Sequence, residues 1–406
     1  MPSADRFASP RELGLDAGAI DELVARAQRE VDAGHIPSFQ LALARHGRIG
    51  FMTTQGHVRH ASRDAVPTND TLYAVFSCTK GLMAAAAWML MDEGRLDPSR
   101  RVAELVPEFG TNGKDVVTIE QLFLHTCGFP NAPFPPVEWD DKAKRYERFA
   151  RWRLEWEPGS RFIYHPTASM WAAAEVFERL TGVDYRDFIR DRVAGPLGLP
   201  DLRIGVPDAD HGRIADVVYS GTEAGADELL AAGWPAELPK NDVTEEAILG
   251  LNSPVVRRIG LPGGGAIATA GDLALFYQAL VNGGAGIDGR RLLSADAIRA
   301  GCTVRTGALT DPMLGKPVNR AFGVVVAGET DRAARGFGHA GSPRMFGHNG
   351  AGGQIAWGDP ETGLSFAFVT NGFDRNALRQ ARRSIALSTR AATTVQSAIV
   401  ADAKRT

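Results

Sequence analysis

The chain has 406 residues, 44% hydrophobic and 23% charged, with a formal net charge of −3. That length exceeds a small disulfide-knotted module or a lone DNA-binding motif, and the apolar share supports a sizeable core. No basic excess exists to drive phosphate binding, so nucleic acid is not an expected partner. Taken in chain order, residues 16–34 predict an amphipathic helix: Ile20, Leu23, Val24 and Ala27 recur at helical spacing and Gly34 stops it. Residues 39–45 and 48–54 flank His46-Gly47 and predict a β-hairpin. A strand-like approach over 72–76 leads into the most apolar helix of the chain. Residues 322–327 predict another strand. Residues 353–358 and 364–370 flank a turn-rich stretch, 359–363, and predict a second hairpin. A last helix is expected from about 375 to 399.

Strands therefore gather at both ends of the chain. The expected architecture is α+β: one antiparallel sheet flanked by the first and last helices, with a mostly helical lobe built from the middle. The boundaries read as about 1–75 and 290–406 for the sheet-bearing lobe and about 76–289 for the helical one, all within a single domain spanning 1–406. The segment 208–251 reads as a long connection or lid. Three cysteines, Cys78, Cys127 and Cys302, cannot make a disulfide framework and are expected as reduced thiols. The longest apolar stretch, 82–91, is far short of the ~20 residues of a membrane span, and residues 1–10 lack an apolar signal core. A soluble, cytoplasmic protein without a membrane span is expected; oligomeric state is left open.

Three short elements hold residues suited to chemistry. Ser77-Cys78-Thr79-Lys80 opens the apolar helix, placing Lys80 on the same helix face as Ser77. A serine needs a base to become a nucleophile. Lysine can serve once desolvation brings its pKa from about 10.4 toward neutrality, and a helix entering a core offers that. The second element runs from Glu157-Pro158-Gly159 through an aromatic run to Tyr164-His165-Pro166. A buried tyrosine near a lysine can relay protons. The third is His348-Asn349-Gly350-Ala351, before the last hairpin, where small residues let a substrate approach the strand backbone. Gly263-Gly264-Gly265 reads as a close-packed turn. No serine lies in G-x-S-x-G, and no Walker loop, H-E-x-x-H or zinc-type cluster appears, so neither cofactor nor metal is expected.

These elements, in this order, resemble the S-x-x-K, Y-x-N and K-T-G (or H-x-G) motifs of the serine β-lactamase and penicillin-binding-protein superfamily. The branch most resembled is the class C β-lactamase-like group that includes family VIII carboxylesterases. The resemblance covers about residues 15–390. It implies an active-site cleft between sheet and helical lobe. In it Ser77 attacks an acyl carbon, and Lys80 and Tyr164 move protons. The amides of Ser77 and Ala351 form the oxyanion hole, while His348 and Gly350 line the substrate. Two departures bear on substrate choice. Pro166 replaces the asparagine of Y-x-N, and His348 replaces the lysine that binds a lactam carboxylate. The expectation is a serine hydrolase of small, neutral carboxylic esters working through an acyl-enzyme. The alternatives are a β-lactamase, D-aminopeptidase or acyltransferase on the same scaffold, and a non-catalytic binding module of that fold.

Overall fold

The computed structural model describes residues 6–61, 63–238 and 243–395. Helix α1, Ala17–Asp32, starts where the Asp16 side chain accepts the Ala19 amide at 2.8 Å. It ends ahead of Gly34, which takes a positive φ of 68°. Strands β1, Ser38–Arg45, and β2, Arg48–Gly56, follow. His46 and Gly47 join them at φ 51° and 79°, the two positive angles that a type I′ hairpin turn requires.

The remaining strands of the main sheet come from the other end of the chain: β3, Val325–Val326, β4, Phe346–Gly350, β5, Gln354–Asp359, and β6, Leu364–Val369. The order is β2-β1-β6-β5-β4-β3 with every pair antiparallel. Pairing of β1 with β6, Leu43 opposite Phe366, closes the two chain ends into one sheet. The period of two sorts residues by size. Phe39, Leu41, Leu43, Phe366 and Phe368 fill one face, beneath Leu23 of α1 and Leu387 of the last helix. Burying each such side chain stabilises by about 1.5–3 kcal/mol. The opposite face is small, with Ala42, Ala44, Ala356 and Ala367.

Four further helices are used below: α2, Thr79–Asp92, α3, Ala168–Thr181, α4, Ala270–Val281, and α5, Ala377–Ala392. The small face of the sheet lets α4 come close: a Cβ on Gly358 would meet Val281 Cγ2 at 2.5 Å. Helix α2 is buried from Thr79 through Leu90, so a helix without a polar face is stable only as the centre of the molecule. A small second sheet, Tyr73–Ala74 with Ala266–Ala268 and Arg203–Ile204, lies just before it. No helix among the described residues is long and apolar enough to cross a membrane.

The last helix is shorter than expected. Asn376 caps it by accepting the Arg379 amide at 2.9 Å, and residues 396–399 of the expected span lie outside the described residues. The strand expected at 322–327 shrinks to Val325–Val326. Gly323, at φ 83°, makes a turn there with the Ala321 amide bonded to Val324 O. Segment 208–251 is held by Val218–Ser220, which pairs in parallel with Gly372–Asp374.

Candidate active site

Ser77 sits in a single 3-10 turn, Phe76–Cys78, that feeds α2. The turn is pinned. Val75 N donates to Ala266 O at 3.0 Å, and the Thr79 hydroxyl donates to Phe76 O while accepting the Ala266 amide at 2.9 Å. Phe76 is held at φ 46°, a left-handed conformation that costs a bulky residue energy and persists because the surroundings fix it. Helical bonding begins only with the Cys78 amide, donated to Val75 O, so the Ser77 amide precedes the bonded ones. The β4–β5 turn lies beside it. A Cβ on Gly350 would meet Val75 O at 2.7 Å, and Ala351 packs in the cluster that contains Phe76.

Lys80 is 1% exposed. Its Nζ donates to Gly263 O at 2.6 Å and Pro166 O at 2.8 Å, and lies 3.4 Å from Ser77 Oγ. Burial, and after it the Arg320 charge, push the Lys80 ammonium below its usual range, while the Tyr164 hydroxyl pulls the other way. The Gly263 turn was legible as a turn, but its carbonyl's grip on Lys80 was not. Gly263 is glycine because a Cβ would meet Pro166 O at 2.8 Å.

Tyr164 lies across Lys80, with Nζ 5.0 Å from the ring centroid. Its hydroxyl is buried and, among the described residues, makes no hydrogen bond of good geometry, its nearest charged neighbour being Lys80. Two histidines fix the loop carrying it. His125, in a left-handed C-cap, accepts the His165 amide on Nδ1 at 3.2 Å, and its ring lies 4.5 Å from that of Tyr164. His165 accepts the Phe129 amide on Nε2 at 3.1 Å, leaving Nδ1–H to donate to Ile163 O at 2.6 Å.

His348 is brought to the same place, its ring 6.1 Å from that of Tyr164. Both its nitrogens are occupied elsewhere: Nε2 accepts from Arg320 Nη1 at 2.9 Å and Nδ1 bonds to Asn349 O at 2.6 Å. That pattern selects the neutral Nδ1–H tautomer. Burial first, then the Arg320 and Lys80 charges, hold its pKa well below the usual value. Cys78, next to Ser77, donates its thiol to His348 O at 3.2 Å; burial pushes it up to about 12, so no thiolate competes with the serine. All three cysteines are free.

The beta-lactamase family profile matches residues 20–391. The chain belongs to the beta-lactamase family. Among curated relatives of this beta-lactamase-family chain, the esterase/beta-lactamase LipL of Mycobacterium tuberculosis is 31% identical, over 74% of this chain and 70% of its own length. A family VIII carboxylesterase structure superposes with a TM-score of 0.75 at 26% identity, covering 93% of this chain and 99% of that one. A penicillin-binding-protein homologue from Caulobacter crescentus gives 0.75 at 28% identity, covering 94% and 99%. This member of the beta-lactamase family is a serine hydrolase.

Three buried imidazoles make a stability prediction for it. His125 and His348 sit well below the usual range and His165 at about 3, in each case chiefly through burial. The unfolded chain takes up protons at these histidines near pH 6.5 while the native state stays neutral. Their contribution is therefore fully present above pH 6.5 and lost as pH falls toward the folded values. The loss approaches about 1.4 kcal/mol per pH unit for each. Urea midpoints at pH 7, 6 and 5 should fall steadily; a flat profile would show the imidazoles protonated in the fold.

Proposed function

We propose that the protein hydrolyses carboxylic esters through an acyl-enzyme on Ser77. The observation that carries this reading is the setting of Lys80. Two backbone carbonyls, Pro166 O and Gly263 O, take two N–H groups, and the third direction of Nζ faces Ser77 Oγ at 3.4 Å. A neutral amine so held directs its lone pair at the serine hydroxyl. As Ser77 Oγ bonds to the acyl carbon, its proton passes to Lys80, and Tyr164 donates a proton to the departing alcohol oxygen. The Tyr164 proton is restored from Lys80, and water then releases the acid by the reverse relay. The amides of Ser77 and Ala351 receive the developing oxyanion, and losing one such donor costs about 2.7–4 kcal/mol.

The family VIII carboxylesterase structure supports an ester, as do Pro166 and a neutral His348 at positions where lactam-binding residues would stand. The cleft is proposed to lie between a sheet-bearing lobe and a helical lobe of one catalytic domain. The three free cysteines fit a reducing, cytoplasmic setting. The test sets nitrophenyl butyrate beside a chromogenic cephalosporin. The ester should turn over faster, a fluorophosphonate should label Ser77, and Ser77→Ala should lose both signals. A cephalosporin cleaved faster by orders of magnitude would transfer the reading to lactam hydrolysis; absence of labelling with unchanged turnover in Ser77→Ala would remove the acyl-enzyme.

A further inference from the structure

The turn between β4 and β5 carries the Ala351 amide, and Gly350 and Gln354 pair across its base. Both glycines of its tip, Gly352 and Gly353, take positive φ, 82° and 89°. Glycine holds such angles without strain but does little to fix them. What fixes them is α5. The Gly352 amide donates to Gln380 Oε1 at 3.0 Å, Gly352 O accepts from Arg383 Nη1 at 3.0 Å, and Gly353 O accepts from the Ser384 hydroxyl at 3.1 Å. Peptides 351–352, 352–353 and 353–354 are each held in this way. The adjoining peptide, 350–351, carries the Ala351 amide. On its other side Gly350 lies against the turn of the nucleophile, where a Cβ would meet Val75 O at 2.7 Å.

The holding side chains are themselves held. Gln380 Nε2 donates to Asp374 O. Arg383 is fully buried and directs Nε at Glu30, 3.1 Å away, and Nη2 at Asp374, 3.0 Å away, which leaves Nη1 for the turn. Glu30 comes from α1, where Arg26 also bonds it at 2.6 Å, and Asp374 takes a second guanidinium, Arg379, at 2.9 Å. The turn is therefore braced by the first and last helices together. Burying such a set of charges is costly, and apolar side chains of similar volume often fold as well. An apolar set could not accept the Gly352 amide or donate to its carbonyl, and that is what the buried ions supply beyond packing.

We infer that Gln380, Arg383 and Ser384 are positioning residues for the oxyanion: through the glycine turn they fix the direction of the Ala351 amide. The inference deepens the acyl-enzyme reading and rests on it. A donor stabilises developing charge only if it is aimed before the charge appears, and a displacement of about 1 Å can cost about 100-fold in rate.

The experiment compares Gln380→Met, which keeps an unbranched side chain and removes the acceptor, with Gln380→Glu, which keeps the acceptor. On nitrophenyl butyrate kcat/KM should fall by about 10- to 100-fold in Gln380→Met, and Gln380→Glu should recover most of that loss. Arg383→Lys keeps the charge but lacks the fork that spans Glu30, Asp374 and Gly352 O, and should show the same loss. The second readout is the inhibitor 1,1,1-trifluoro-2-pentanone, to which Ser77 adds as a hemiketal oxyanion with no leaving group. Its Ki should rise by the factor by which kcat/KM falls. Circular dichroism verifies folding; if the Gln380 and Arg383 variants do not fold, Ser384→Ala decides, with the same paired change at smaller size. Unchanged kcat/KM in the folded variants overturns the inference. So does a lower kcat/KM with unchanged Ki, which would place the effect on proton transfer. If the wild type cleaves no ester, the ester reading fails and the ketone decides alone: a weaker Ki in Gln380→Met upholds the clamp, while an equal Ki, or no binding by the wild type, overturns it.

Discussion

Lys80→Ala is expected to lower kcat/KM on nitrophenyl butyrate by about 10⁴-fold or more, because it removes the one side chain, among the described residues, that is hydrogen-bonded to the Ser77 hydroxyl and can accept its proton. The sharper test is Lys80→Arg. A guanidinium keeps the positive charge but does not lose its proton in a protein. If Lys80 acts as a base, arginine rescues nothing; recovery to a tenth of wild type would mean that the site needs only a cation. The pH profile carries the same sign. Burial lowers the Lys80 pKa, and the neutral amine is the reactive form. The rate should therefore rise with pH through that lowered value and lose this limb in Lys80→Ala. Folding of the variant is read from circular dichroism.

How much of this was legible in the sequence depends on the distance over which each feature is written. The two hairpins, the first helix and the S-x-x-K spacing are local. Alternation, turn residues and the three-residue offset of Ser77 and Lys80 encode them in a few positions. What was not legible is what distant segments bring to each other. Nothing at Gly263 announces that its carbonyl holds Lys80, 183 positions away in sequence. His165 stood out only as the middle residue of Tyr164-His165-Pro166 and His125 drew no role, yet each accepts a backbone amide that fixes the Tyr164 loop. Arg320 gave no signal beyond one arginine among many. The strand expected over 322–327 is cut short to Val325–Val326 for a packing reason. A Cβ on Gly323 would meet Ala84 Cβ of α2 at 2.7 Å, so the chain turns away from the sheet where the central helix passes.

Tyr164→Phe is expected to reduce kcat by at least about 100-fold while leaving the protein as stable as before or more so. The two effects move apart because the hydroxyl is buried and unpartnered. Keeping such a group from water costs about 1–3 kcal/mol, and removing it relieves that cost while giving up only its electrostatic tie to Lys80. A tyrosine retained only for packing would show the opposite, full activity with a lowered melting temperature. Tyr277→Phe is the control. Its hydroxyl is likewise buried without a partner, but it abuts Gly81, at 2.6 Å from where a Cβ would stand, and its ring packs against Phe276 and Phe346. Its removal should leave the rate near wild type. The Tyr164 variant should also move the acid limb of the pH profile. Tyr164 raises the Lys80 pKa, so its loss lowers that value further and shifts the limb to lower pH. A near-wild-type rate with an unshifted limb would place the leaving-group proton on another residue and take Tyr164 out of the relay.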